Sequence, residues 1–149
     1  MRKVYAYITR GNELLVLRQV EFPEVGIQVP GGTPEPGEQL KAAAMREAEE
    51  ETGLSALRFE RHLADIEFTY QDGVTAARSF YHLSYSARTP RSWRHLEMTP
   101  FGGEHPIEFE LYWLPLTDDG PALAAELDGA LPQLRQFLTR ADLGAETNA

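Results

Sequence analysis

No cysteine occurs among the 149 residues, so disulfides, a thiolate nucleophile and cysteine-ligated zinc are excluded, and the redox compartment is left undetermined. Long apolar runs are missing too. None approaches the roughly 20 residues needed to cross a bilayer, which argues against a membrane protein. Positive charge is scarce, with 14 Lys and Arg against 23 Asp and Glu and a formal net charge of −9. Nonspecific nucleic-acid binding relies on basic side chains that neutralise phosphates, so no nucleic-acid partner is expected. A small phosphate-bearing substrate stays compatible if bound cations reverse the local sign. The N-terminal segment has a basic pair, Arg2-Lys3, but alternates and meets polar residues too early for a signal peptide. A cytoplasmic location is therefore the default expectation.

The chain has neither internal repeats nor low-complexity stretches. Its length and its hydrophobic fraction of 42% suit one globular domain spanning residues 1–149, with residues 145–149 as a frayed tail. The order of elements is strands, one strong helix, more strands and a closing helix, a mixed α/β or α+β pattern. Lys3 to Thr9 and Leu14 to Leu17 alternate as strands around the turn Arg10-Gly11-Asn12. Gly26 to Val29 is expected as a short third strand stopped by Pro30-Gly31-Gly32. Gln39 to Thr52 holds strong helix formers without Pro or Gly, and Gly53 suits the C-terminal stop. No Ser, Thr, Asp or Asn stands at its N-cap, so tertiary contacts must hold the start of the helix. Leu57 to Tyr70 and Val74 to Ala87 form a hairpin about Gln71-Asp72-Gly73. Arg88 to Pro106 is expected as a long functional loop, Phe109 to Leu116 as a strand, and Ala122 to Thr139 as a closing helix interrupted or restarted near Pro132.

The helix concentrates negative charge. Glu47, Glu50 and Glu51 lie at i, i+3 and i+4 and share one face within a turn, while Glu49 points away. Leu40 and Ala43 stand on that face and Ala44 and Ala48 beside it, so the acids adjoin the apolar stripe and are partly shielded from water. Like charges at this spacing cost about 0.2–0.5 kcal/mol per pair when exposed, but an unpaired charge taken out of water costs several kcal/mol. Arg46 can offset one carboxylate, Glu50 at i+4, but not all of them. A further cation is therefore expected, and oxygen donors without thiolate or imidazole favour Mg²⁺, Mn²⁺ or Ca²⁺. A plain solvated acidic face is the competing reading of a Glu-rich helix.

The wider spacing decides between them. From Gly32, five residues precede Glu38 and seven more precede Arg46-Glu47, and the run ends Ala48-Glu49-Glu50-Glu51-Thr52-Gly53-Leu54. This resembles the Nudix box, GX5EX7REUXEEXGU with U aliphatic, at every defined position of residues 32–54; Ala48 is a small choice for the first U.

The resemblance implies an α/β/α sandwich with a mixed sheet. It also implies hydrolysis of a nucleoside diphosphate linked to another moiety, by water attack at phosphorus with Mg²⁺ or Mn²⁺. Diphosphates resist attack because their oxygens repel a nucleophile, and divalent cations relieve that repulsion. By position, Glu47, Glu50 and Glu51 would be metal ligands, with a backbone carbonyl at Gly31 or Gly32 completing the set. Glu38 would be a supporting acid and Arg46 a partner that orients a carboxylate. Glu47 and Glu51 share the role of general base.

An acid outside the box often serves in such enzymes. Glu97, Glu104 and Glu108 are the candidates, with Glu104 favoured for its Phe101-Gly102-Gly103-Glu104-His105-Pro106 segment, and His105 read as a plain loop residue. Arg18 is a candidate for substrate phosphates. Tyr70 is a candidate for stacking on a base, as in relatives acting on dinucleoside polyphosphates, although packing is its commoner use. Trp113 is expected in the core, and Trp93 either walls a base or mediates a dimer contact. The expected partner is a small phosphate-containing nucleotide, a nucleoside triphosphate or dinucleoside polyphosphate among the options, and a homodimer stays open. A noncatalytic nucleotide-sensing module is the alternative. A calcium buffer fits less well, because no EF-hand loop is present and Gly32, Arg46 and Gly53 would go unexplained.

Overall fold

Alternation in the first twenty residues produces two strands, β1 (Arg2–Arg10) and β2 (Glu13–Gln19), in a computed structural model that describes residues 1–98, 105–117 and 122–138. Arg10 pairs with Glu13 across a turn in which Gly11 takes φ +59°, a conformation cheap only for residues such as glycine. The chain continues through β3 (Gly31–Gly32), α1 (Leu40–Thr52), β4 (Arg58–Thr69), β5 (Thr75–Ser84), β6 (Ser92–Glu97), β7 (Ile107–Pro115) and α2 (131–138). The sheet runs β4-β5-β1-β2-β7-β6, with β3 paired to β1 off this path. The β1–β5 pairing is parallel and the others antiparallel. A mixed sheet with a helix on each face is the sandwich expected.

The two faces follow the period-2 alternation of the strands. Ala6, Ile8, Leu15, Leu17 and Leu111 pack with Ala48 on the α1 side. Tyr7, Leu14, Val16 and Phe80 pack with Leu131 and Leu134 on the α2 side. In α1 the buried apolar residues are Ala43, Ala44 and Ala48, whose small side chains let the helix lie close to the sheet. Gly53 ends it at φ +75°, its N–H donating to the Glu49 carbonyl.

Two expectations about elements change. Gly26 to Val29 contributes only an isolated bridge between Gln28 and Leu17, and the paired segment is Gly31–Gly32. The reason is proximity: a Cβ on Gly31 would lie 2.2 Å from the Tyr5 ring and 2.5 Å from the Val4 carbonyl, so only glycine can run this close to β1. The stretch Arg88 to Pro106 is no continuous loop, because Ser92–Glu97 forms the edge strand β6. The closing helix is interrupted and restarts near Pro132, as expected. A 3-10 turn at Ala124–Glu126, with Ala125 at φ +51°, precedes the restart at 131–138, where Pro132 suits a first helical turn. The expected end at Thr139 and the tail 145–149 lie outside the described residues.

Candidate active site

The second half of α1, from Arg46 to Glu51, and the Gly31-Gly32 segment frame one wall of a cavity of about 680 Å³. Glu47, Glu50 and Glu51 project into it from the helix, and Glu97 from β6. One carboxylate oxygen each from Glu47, Glu50 and Glu97 falls within 4.8 Å of the others. Glu51 sits beside this group, buried, with Oε1 accepting the Gly31 N–H at 2.7 Å. Gly32 supplies room: a Cβ there would be 2.4 Å from the Glu47 carboxyl carbon.

Arg46 is the counter-charge within this wall. Its Nε and Nη2 each donate to Glu38 at 2.9 Å, and Nη1 donates to Glu47 at 3.0 Å and Glu50 at 3.2 Å. The paired guanidinium, helped by the Glu35 N–H, holds the Glu38 carboxyl down at about 2. Glu38 therefore anchors the arginine with both oxygens and takes no place in the carboxylate cluster. Burial pushes Glu47 up to about 7 despite Arg46. Burial likewise raises Glu51 well above the usual carboxylate range, and raises Glu97, with Glu50 adding to both. Two cations, Arg46 and Lys3, stand against the five acids Glu35, Glu47, Glu50, Glu51 and Glu97 that line the cavity, which leaves an excess of acidic groups in a partly desolvated place.

Oxygen-only donors, net negative charge and the space kept by Gly32 fit a hard divalent cation. Glu47, Glu50 and Glu97 are the residues that would hold it, with Glu51 adjacent.

Residues 1–137 match the family profile described as NUDIX domain. The chain belongs to the Nudix family. No curated protein sequence matches it significantly. Among solved structures, it resembles a UDP-X diphosphatase at TM-score 0.64 and 19% identity, over 95% of this chain and 63% of that one. The C. elegans Ap4A hydrolase matches at 0.63 and 19%, over 92% and 97%. The Nudix domain of Shewanella oneidensis NrtR, complexed with ADP ribose, matches at 0.67 and 19%, over 93% and 88%. At such identities the likeness is one of fold, and this chain spans less than two thirds of the UDP-X diphosphatase.

Within this Nudix site, the residues singled out beyond the box are distributed unevenly. Among the three outside acids, Glu97 reaches the cluster. Glu108 instead accepts a hydrogen bond from Arg94 at 3.1 Å, and the favoured Glu104 lies outside the described residues. His105 is exposed and lines no part of the cavity. Arg18 is turned away, because Leu17 and Gln19 point to the cavity and strand alternation sends Arg18 to the other face, where it pairs with Glu110 at 2.9 Å. Tyr70 is also off the cavity. Its ring stands edge-on to Phe68 and its hydroxyl accepts from Arg78 at 3.3 Å; Tyr5 lines the cavity instead. Trp113 is buried in the core, as expected. Trp93 does not line the cavity; its indole N–H donates to the Thr52 carbonyl at 3.0 Å, at the end of α1.

The sequence reading missed the role of β6 as a carrier of site residues. Its signal was the alternation Trp93-x-His95-x-Glu97, which places all three on one face of a strand.

Proposed function

We propose that this chain is a divalent-cation-dependent pyrophosphohydrolase that cleaves a diphosphate linkage in a nucleoside diphosphate derivative by water attack at phosphorus. The observation that carries this reading is the convergence of Glu47, Glu50 and Glu97 within 4.8 Å on the wall of the cavity, beside buried Glu51. Mg²⁺ is the expected ion, with Mn²⁺ as substitute, and either would supply charge neutralisation at the phosphoryl oxygens and a lowered pKa for water.

The residues of the chain do the remaining work. Arg46 fixes the orientation of Glu47 and Glu50 through its two Nη1 hydrogen bonds, so the acids are aimed before substrate arrives. Glu47, on the wall of the cavity beside the cation position, is placed to take a proton from water. Glu51 shares candidacy for that role. Lys3, which hydrogen-bonds Thr33 at 2.7 Å, lines the same cavity and brings positive charge to a phosphate-bearing ligand. For the rest of the substrate, Leu17, Val29 and Phe109 offer apolar wall, and Gln19 and Gln28 offer amide hydrogen bonds. That mixture suits a base or sugar better than a bare inorganic pyrophosphate. The neighbours named for UDP-X, Ap4A and ADP ribose support a nucleotide diphosphate as the substrate class, nucleoside triphosphates and dinucleoside polyphosphates included.

The test is a product-release screen with Mg²⁺ or Mn²⁺ over nucleoside triphosphates, dinucleoside polyphosphates, nucleotide sugars, ADP-ribose and coenzyme A. Release of a phosphorylated product from at least one nucleotide, and none in a metal chelator, is expected. Binding without release across the panel would instead identify a noncatalytic nucleotide-sensing module.

A further inference from the structure

Strand β6 turns three side chains toward α1, and two of them are tied to the backbone of the helix. Trp93 Nε1 donates to the Thr52 carbonyl at 3.0 Å, and His95 Nε2 meets the Glu50 carbonyl at 2.8 Å. Both carbonyls belong to the last turn of α1, where the chain has no further helical N–H to offer them. A carbonyl only accepts, so His95 must carry its proton on Nε2. The imidazole also rests on the helix stop, since a Cβ on Gly53 would lie 2.7 Å from His95 Nδ1. The third side chain is Glu97, two residues on, whose carboxylate joins Glu47 and Glu50.

Glu97 has reason to leave. It faces like charge across the cavity, and among the described residues β6 is an edge strand paired to the sheet only through β7. Backbone pairing with β7 fixes the strand along its length but does not fix its distance from α1. The two side-chain bonds to Thr52 and Glu50 do, and they grip the turn of helix that carries Glu50.

We infer that Trp93 and His95 are positioning residues that lock β6 to the C-terminal turn of α1 and so hold Glu97 within reach of Glu47 and Glu50. The inference rests on the reading of Glu97 as one of the carboxylates that hold the cation. Groups that orient metal ligands from behind typically change metal affinity by about 10–100-fold when removed, and that range sets the size of the effect.

The experiment is Mn²⁺ binding to the full chain by calorimetric titration, with metal-free melting as the control for folding. Glu97→Gln should weaken binding at least tenfold. His95→Phe keeps the ring but loses the donor, and should weaken Mn²⁺ by about 10–100-fold. His95→Gln can place an amide N–H near the Glu50 carbonyl and should restore most of the affinity. In the Glu97→Gln background, His95→Phe should add little, because the ligand it positions is gone. Trp93→Phe, which loses only the indole N–H, should weaken Mn²⁺ several-fold and serves if His95→Phe fails to fold. Parental affinity in both His95→Phe and Trp93→Phe, or a full additive loss in the double variant, would overturn the positioning role while leaving Glu97 a ligand. Parental affinity in Glu97→Gln itself would overturn the reading of the site and the inference with it.

Discussion

On the α2 side of the sheet, Tyr7, Arg78 and His82 each find hydrogen-bond partners within the chain, although Arg78 Nε, His82 Nδ1 and two Arg135 nitrogens have none among the described residues. The Tyr7 hydroxyl donates to the Leu127 carbonyl and accepts the Ala130 N–H at 3.2 Å. Arg78 donates to the Ala125 carbonyl at 2.6 Å and stands 3.9 Å over the Phe68 ring. His82 meets Thr9 Oγ1 at 2.7 Å, and burial, against the pull of Glu60, lowers its pKa to about 4, so it stays neutral. On the α1 side, Arg46 pairs with Glu38, Glu47 and Glu50, and burial pushes up Glu47, Glu51 and Glu97. Buried polarity that is paired internally serves the fold. A cluster of like charges left short of cations costs stability and persists where something outside the chain completes it.

The comparison is sharpened most by a change on the α1 side. Glu51→Gln keeps an oxygen for the Gly31 N–H but removes the charge; turnover should fall by about 10²–10⁴-fold while the metal-free melting temperature holds or rises. Near-normal turnover, read from initial rates on the best substrate of the panel, would remove Glu51 from the chemistry. The reverse behaviour is expected on the α2 side. Tyr7→Phe leaves a buried carbonyl and a buried N–H without their partner and should lose about 2 kcal/mol in urea unfolding, with Mn²⁺ affinity unchanged. A change in Mn²⁺ affinity there would break the separation of the two faces.

Acid should act on the faces with opposite sign. His82 binds its proton less readily folded, at about 4, than unfolded, near 6.5. Its contribution is therefore present above the unfolded value and lost as pH falls toward the folded one, by about 2 kcal/mol between pH 7 and pH 5. Glu47, Glu51 and Glu97 on the α1 side have raised values, so their contribution is present at low pH and lost as pH rises. The difference in stability between the parent and His82→Gln isolates the histidine. In chelator, the parent should lose about 2 kcal/mol more than the variant on going from pH 7 to pH 5, and equal slopes would show that His82 is not held neutral by burial.

Helix α1 was legible because two independent regularities coincide in it: helix formers up to Gly53, and acids at i, i+3 and i+4. The strands with clean alternation, β1, β2, β4 and β5, were legible for the same kind of reason. Strand β6 was not, since Ser92-Trp93-Arg94-His95-Leu96-Glu97 is short, polar and preceded by Pro90, and its stability comes from pairing with β7 and from bonds to α1. Glu97 was accordingly passed over for Glu104, on the glycine-rich composition of the segment around Glu104. Arg18 illustrates a different loss. Its charge drew attention, but the parity of β2, with Leu15 and Leu17 facing α1, already implied that it points the other way. Gly31-Gly32 read as a stop because composition signals a turn there, whereas close approach to β1 was the actual demand.

The central claim is that the α1-side carboxylates form a divalent-cation site. Its most direct test is the melting temperature of chelator-treated protein against Mg²⁺ or Mn²⁺ concentration, for the parent and Glu50→Gln. A ligand that binds only the folded chain stabilises it by about 2.7 kcal/mol at one hundred times its Kd. The parent should thus melt at rising temperature as cation is added, and Glu50→Gln should show most of that rise abolished. A parent whose melting temperature ignores both cations, or a Glu50→Gln variant that responds as the parent does, would contradict the account.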